Sequence, residues 1–136
     1  MKVGKAAIVI IIASSMVAGC SYLGAAKIPT GEQMKGRWTG TSSGHENGRN
    51  TGTNVTFLID QSSGQSFTGT IEYQYNDKRT GKEKIHGSIG KNGDIAIADE
   101  DGFYINGILD RNSLSLQYIE SSPEESEASN VYLKRK

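Results

Sequence analysis

Ser66-Phe67-Thr68-Gly69-Thr70-Ile71-Glu72-Tyr73-Gln74-Tyr75 decides how this chain folds. Phe67, Gly69, Ile71, Tyr73 and Tyr75 fall on one side of an extended backbone, and Thr68, Thr70, Glu72 and Gln74 on the other. Successive side chains of a strand point to opposite faces, so strict alternation marks a strand with one dry face and one wet face. β-Branched and aromatic residues dominate the run, as suits a pleated, half-buried surface.

Outward from this segment the rhythm repeats. On the N-terminal side, Ser62-Ser63-Gly64-Gln65 reads as a turn, and Thr53 to Gln61 places Val55, Phe57 and Ile59 on one face. Ser42 to Gly52, rich in Gly, Asn and Ser, reads as a loop, and Arg37 to Thr41 alternates around Trp38. On the C-terminal side, Asn76 to Glu83 reads as a polar loop, followed by Ile85, Gly87 and Ile89 in phase. Asn92-Gly93 is a type I′ hairpin signal, because both central positions of that turn need positive φ. Ile95 and Ile97 form the next strand, Phe103, Ile105, Gly107 and Leu109 another, and Asp110-Arg111-Asn112 a turn. Leu114, Leu116 and Tyr118 follow in phase, Ser122 to Ser129 reads as an acidic loop, and Val131, Leu133 and Arg135 share the last face. The pattern predicts eight strands in sequential hairpins and no helix. An all-β domain follows, a single small eight-stranded antiparallel up-and-down β-barrel, since closure removes exposed edges.

Phe67-Thr-Gly69-Thr-Ile71, Ile85-His-Gly87-Ser-Ile89 and Ile105-Asn-Gly107-Ile-Leu109 all read apolar-x-Gly-x-apolar. Glycine weakens a strand unless something needs the space. Three on the apolar face predict kinks that let a narrow barrel curve, and an interior filled by the bulky residues beside them.

The 136 residues have room for one domain. Basic and acidic residues balance at 15 each, and setting aside Lys2 and Lys5 leaves 13 against 15. Such a chain has no electrostatic reason to seek nucleic acid. The single cysteine excludes an internal disulfide and a thiolate zinc cluster.

That cysteine has a setting of its own. Lys2 and Lys5 form a basic head, and Ala6 to Ala18 is apolar apart from Ser14 and Ser15. The stretch is short of the ~20 residues a spanning helix needs, and has the build of a signal peptide. Val17-Ala18-Gly19-Cys20 resembles the lipobox of bacterial lipoproteins, with Val17 in place of the commoner Leu. The resemblance implies cleavage after Gly19, diacylglycerol on the Cys20 sulfur and a further acyl chain on the new amino terminus. Two or three chains anchor stably where one does not. The expected organisation is a signal peptide over 1–19, a lipidated flexible tether over 20–32 and the barrel over 33–136. Ser21, rather than Asp, after the cysteine favours the outer membrane if the organism is Gram-negative.

Gly36-Arg37-Trp38 resembles the Gly-x-Trp signature that opens the first strand of the calycins, the superfamily of lipocalins, fatty-acid-binding proteins and avidins. In that family a basic residue of the last strand packs over the tryptophan. Arg135, in phase with Val131 and Leu133, stands at the matching end, so Gly36, Trp38 and Arg135 are the structural signature implied by the resemblance.

Reactive patterns are few. Gly40-Thr41-Ser42-Ser43-Gly44 matches a nucleophile-elbow spacing and His45 follows it, but that motif requires a strand-turn-helix in an α/β fold. The segment reads as loop, and no catalytic residue is expected. His45 and His86 read as surface histidines without metal-ligand spacing. Asp99-Glu100-Asp101-Gly102 lacks the alternating ligands and distal glutamate of a calcium loop and reads as a charged turn. No metal or cofactor is expected. Asp99, Glu100, Asp101, Glu124, Glu125 and Glu127 are the candidate contacts for a basic protein partner. Tyr73, Tyr75, Tyr104, Tyr118 and Phe103 are expected to fill the barrel.

The functional expectation is a membrane-anchored envelope lipoprotein, held through acyl chains on Cys20. Its barrel has a non-catalytic binding or accessory role toward an envelope or secreted protein. The alternatives are an inhibitor of a secreted hydrolase (lysozyme or a protease) and a carrier of a small apolar ligand.

Overall fold

The structure is a computed structural model and describes residues 27–136. The signal-peptide, Cys20 and most of the tether expectations fall on residues 1–26, outside the described residues.

The elements run α1 (Gly31–Met34), β1 (Gly36–Glu46), β2 (Arg49–Ser63), β3 (Ser66–Tyr75), β4 (Thr80–Ile89), β5 (Asp94–Asp99), β6 (Tyr104–Asp110), β7 (Ser113–Ser121) and β8 (Ser126–Arg135). Each strand pairs antiparallel with the next, and β8 returns to β1, closing an eight-stranded up-and-down barrel. In β2 the register with β3 shifts between Ile59 and Gln61, the mark of a bulge that bends the strand.

Three segments read as loops are largely strand. β1 continues through Ser42–Glu46 and β2 begins at Arg49, leaving Asn47-Gly48, both at positive φ, as the turn. β4 starts at Thr80 and β8 at Ser126, inside the stretches 76–83 and 122–129. The cause is the same in each case. These strand ends surround the open end of the barrel, where inward positions carry polar side chains and apolar alternation stops although the ladder continues.

The apolar faces meet in one core. Trp38, Phe57, Ile85 and Ile105 have no measurable exposure, and Ile59, Ile95, Ile97, Leu114 and Leu133 are almost as deeply buried. The three glycines do two jobs. A Cβ on Gly69 would fall 2.1 Å from the Leu58 carbonyl oxygen, and one on Gly107 at 2.1 Å from that of Ser115, so neighbouring backbones press against them. Gly87 instead lies under the ring of Phe67, its cross-strand partner, with Cζ 2.1 Å from where a Cβ would sit. Aromatic cover of a strand glycine lets a tightly curved barrel keep its density. Phe67, Gly87 and the stacked isoleucines fill the lower barrel.

The single-turn helix α1 has no counterpart in the strand pattern. It lies partly within the stretch expected to be tether, yet Gly31 and Met34 are buried. Gly31 N–H donates to the Gly64 carbonyl at 2.9 Å, fixing α1 across that end of the barrel.

Candidate functional site

The two ends of the barrel are built differently. At the α1 end, Trp38 Nε1 donates to the Met34 carbonyl at 2.7 Å, and the Arg135 guanidinium stands 4.1 Å from the centre of the Trp38 ring. Arg135 also donates to the carbonyls of Gln33 and Lys35, which a one-turn helix leaves without partners. Gly36, at φ +123, holds a backbone conformation closed to other residues and faces Arg135 Nη1. A cation–π contact shielded from water is worth ~1–2 kcal/mol, and every polar atom named here has a partner. This end is a closed structural cap.

At the other end the strands run past the last apolar layer. On one wall, register places Glu46 of β1 opposite Glu127 of β8, and Glu127 opposite Glu120 of β7. On the other wall, Tyr73 of β3 stands beside Glu83 of β4, which neighbours Asp99 of β5, and the Tyr75 ring meets that of Tyr73 edge-on. The Tyr73 hydroxyl donates to Glu83 Oε1 at 2.6 Å, and that of Tyr118 to Glu120 Oε2 at 2.7 Å. Ser129 donates its hydroxyl to Glu127. Asp99 Oδ1 accepts the backbone N–H groups of Gly102 at 2.8 Å and Phe103 at 3.1 Å. The second oxygens, Glu83 Oε2 and Asp99 Oδ2, are buried without a partner. Between the walls lies a cavity of about 40 Å³ floored by Val55, Ile71, Ile105 and Val131 and bounded by Ser42, Thr53, Tyr73, Tyr75, Tyr118 and Glu127. That is room for roughly two to four water-sized groups.

The electrostatics follow from this crowding. Burial, then the neighbouring Asp99 and Asp101, push the Glu83 carboxyl above its ordinary range against the opposing effect of the Tyr73 hydrogen bond. Burial, and then Glu46 and Glu120, raise Glu127 against its bond from Ser129. Burial, Glu127 and Glu46 push Tyr75 up to about 12, and burial with a carboxylate partner raises Tyr73 and Tyr118 as well. Among the described residues the ionisable groups that line this end are mostly acids and tyrosines, and Arg49 of β2 stands directly opposite Glu46 at the rim. Arg79, on the β3–β4 turn, sits at the rim, 4.6 Å from the centre of the Tyr75 ring and paired to Asp77 at 2.6 Å.

The candidate acidic residues therefore divide. Asp99 and Glu127 turn into the barrel mouth, while Glu100, Asp101, Glu124 and Glu125 are exposed on two separate turns. Carboxylate oxygens of Glu83, Asp99 and Asp101 lie within 4.8 Å of one another, a grouping that the expectation of no metal ligands had not anticipated. Glu46, Glu83 and Glu120 were missed as site residues. Glu83 and Glu120 lie one strand period from the inward Ile85 and Tyr118, and Glu46 two periods beyond the inward Ser42, so extending the phase finds them. Ser42 is not on a loop but mid-strand, 8% exposed, and Gly40 and Gly44 beside it lie against the β8 backbone. His45 and His86 are exposed. Tyr104 does not fill the barrel; it points outward and is 46% exposed.

Two solved structures share this architecture. One is EF1p2_mFAP2b bound to DFHBI, with a TM-score of 0.61 and 12% identity over 77% of this chain and 95% of that one. The other is a de novo designed fluorescence-activating β-barrel, with a TM-score of 0.54 and 13% identity over 78% of this chain and 96% of that one. No family model matches the chain, and neither does any curated protein. At these identities the likeness is one of fold: a small, closed, eight-stranded antiparallel β-barrel.

Proposed function

We propose that this chain is a lipid-anchored envelope lipoprotein whose barrel binds, without catalysis, through its open end. The observation that carries the reading is the contrast within the barrel: packed side chains close one end, and at the other opens a cavity lined by three tyrosines, aliphatic side chains and Glu127. Glu72, Lys82, Lys84 and Lys134 point outward from the strands, the inverse of a barrel whose outer face meets lipid. Val17-Ala18-Gly19-Cys20 supports attachment through acyl chains, in the outer membrane if the cell has one. The two similar barrels, one bound to DFHBI and the other described as fluorescence-activating, support the fold as a scaffold for ligands.

Replacing Cys20 with Ser is the first test. The wild-type protein is expected in the membrane fraction with acyl mass on Cys20, and the variant in the soluble envelope fraction. A variant that still sediments, beside a wild type without acyl mass, removes the anchor. The second reading, an inhibitor of a secreted hydrolase, rests on exposed Glu100, Asp101, Glu124 and Glu125 around the mouth, which suit a basic enzyme. Mixing the protein with a cationic lysozyme and reading its activity separates the two.

A further inference from the structure

We propose that the open end of the barrel is a receptor for a primary ammonium group carried on a narrow aliphatic chain. The assignment rests on the open end being the binding end, and names the chemistry it takes.

The first observation is the row Glu46–Glu127–Glu120. These residues are direct cross-strand neighbours on β1, β8 and β7, all inward-facing. Like charges placed opposite one another weaken a sheet; Arg49 of β2 stands opposite Glu46 at the rim, but no ion pair among the described residues reaches Glu120 or Glu127. Burial first, and then these two neighbours, raise the Glu127 carboxyl. A cation entering the cavity would meet Glu127, the member of the row that lines it.

The second observation is the remaining wall. Tyr73, Tyr75 and Tyr118 line the same cavity, offering ring faces rather than donors, since the Tyr73 and Tyr118 hydroxyls are already committed to Glu83 and Glu120. Aromatic faces beside carboxylates attract cations through both quadrupole and charge. The chain displays this preference at the rim, where the Arg79 guanidinium sits over Tyr75.

Size selects among cations. The cavity of about 40 Å³ accepts a compact ammonium, while a planar guanidinium is broader and rigid. A calcium ion needs 6–8 oxygen ligands; tyrosine rings supply none, so the tyrosine wall favours the organic cation. The same ammonium is presented by a free aliphatic amine or by a lysine side chain of a protein.

The test is calorimetric titration of the full-length protein with pentane-1,5-diamine, a blocked lysyl peptide, pentane-1,5-diol, guanidinium and calcium. The diamine or the peptide should bind and the diol should not. Glu127→Gln and, separately, Glu120→Gln should each weaken binding at least about tenfold, the loss of one charge-assisted hydrogen bond. Emission from buried Trp38, far from the mouth, checks that each variant is folded, and if Glu127→Gln fails that check, Glu120→Gln and Tyr118→Phe carry the measurement. Tighter binding of the peptide assigns the group to a partner protein, and equal or tighter binding of the diamine to a small amine. Equal binding of diol and diamine, binding of calcium with both amines silent, or affinity unchanged in all variants overturns the ammonium assignment. The binding reading is judged apart: a neutral dye displaced from the mouth, or a protein captured on it, preserves that reading when the amines fail.

Discussion

The two ends of this barrel carry the same kinds of groups and differ in what completes them. At the closed end an aromatic ring, Trp38, meets a cation from the chain itself, Arg135, which also satisfies the free carbonyls of α1. At the open end the chain's own cations stay at the rim, Arg79 over Tyr75 and Arg49 opposite Glu46, and the carboxylates of Glu83, Asp99, Glu120 and Glu127 have no ion-pair partner among the described residues. The first arrangement is finished and contributes stability. The second is electrostatically unfinished, and binding surfaces are commonly held at some cost to the fold.

The comparison breaks most readily at Trp38. Trp38→Ala should cost ~3–5 kcal/mol, because it empties the base of the core and strands Arg135. Urea unfolding of the variant checks this, and a loss below about 1 kcal/mol, set against that expectation, would mean that the closed end is not the structural one. Gly87→Val comes next. The added atoms collide with the Phe67 ring, so overpacking should destabilise by roughly 1–3 kcal/mol, read as a lower melting temperature. An unchanged melting temperature would reveal slack beneath Phe67.

Glu127→Gln at the open end should act with the opposite sign. Relief of the two like-charged neighbours should stabilise the fold by roughly 0.2–1 kcal/mol near neutral pH. The pH dependence sharpens the point. Glu83 and Glu127 titrate above their ordinary values, so the stability linked to them is complete below the unfolded value of 4.5 and is lost as pH rises through the raised folded values. Glu32, Glu72 and Asp77, lowered by hydrogen bonds to Ser62, Lys82 and Arg79, run the other way and lose their contribution as pH falls through their lowered values. The melting temperature should therefore rise as pH is lowered from neutrality toward the unfolded carboxylate value of 4.5, and Glu127→Gln should flatten that rise. A steady fall over the same interval contradicts the account of the open end.

What could be read in the sequence follows from the same division. Where inward residues are apolar, as in Val55-Phe57-Ile59 or Leu114-Leu116, alternation announces strand, face and register together. Gly36, Trp38 and Arg135 were legible because a motif joins the first strand to the last. The open end was not, because Glu46, Glu83 and Glu120 continue the inward phase in a hydrophilic alphabet, which reads as loop. Nor could spacing show that Glu46 and Glu127, far apart in the chain, become direct neighbours; that depends on β8 closing against β1. The helix α1 escaped because four residues are too few for a period, and its burial depends on turns distant in sequence.

The bond between Gly31 and the Gly64 carbonyl, with Pro29 packed near Gly93, has an orientational consequence. The polypeptide enters the barrel at its plugged base, and β8 delivers the last residues to the same base. Whatever grips the amino terminus therefore holds the molecule by its foot. Ten residues lie between Cys20 and Gly31, so an anchor on Cys20, as proposed, would stand at most ~40 Å from that base. Held there, the acidic rim would lie at the end of the barrel opposite the attachment.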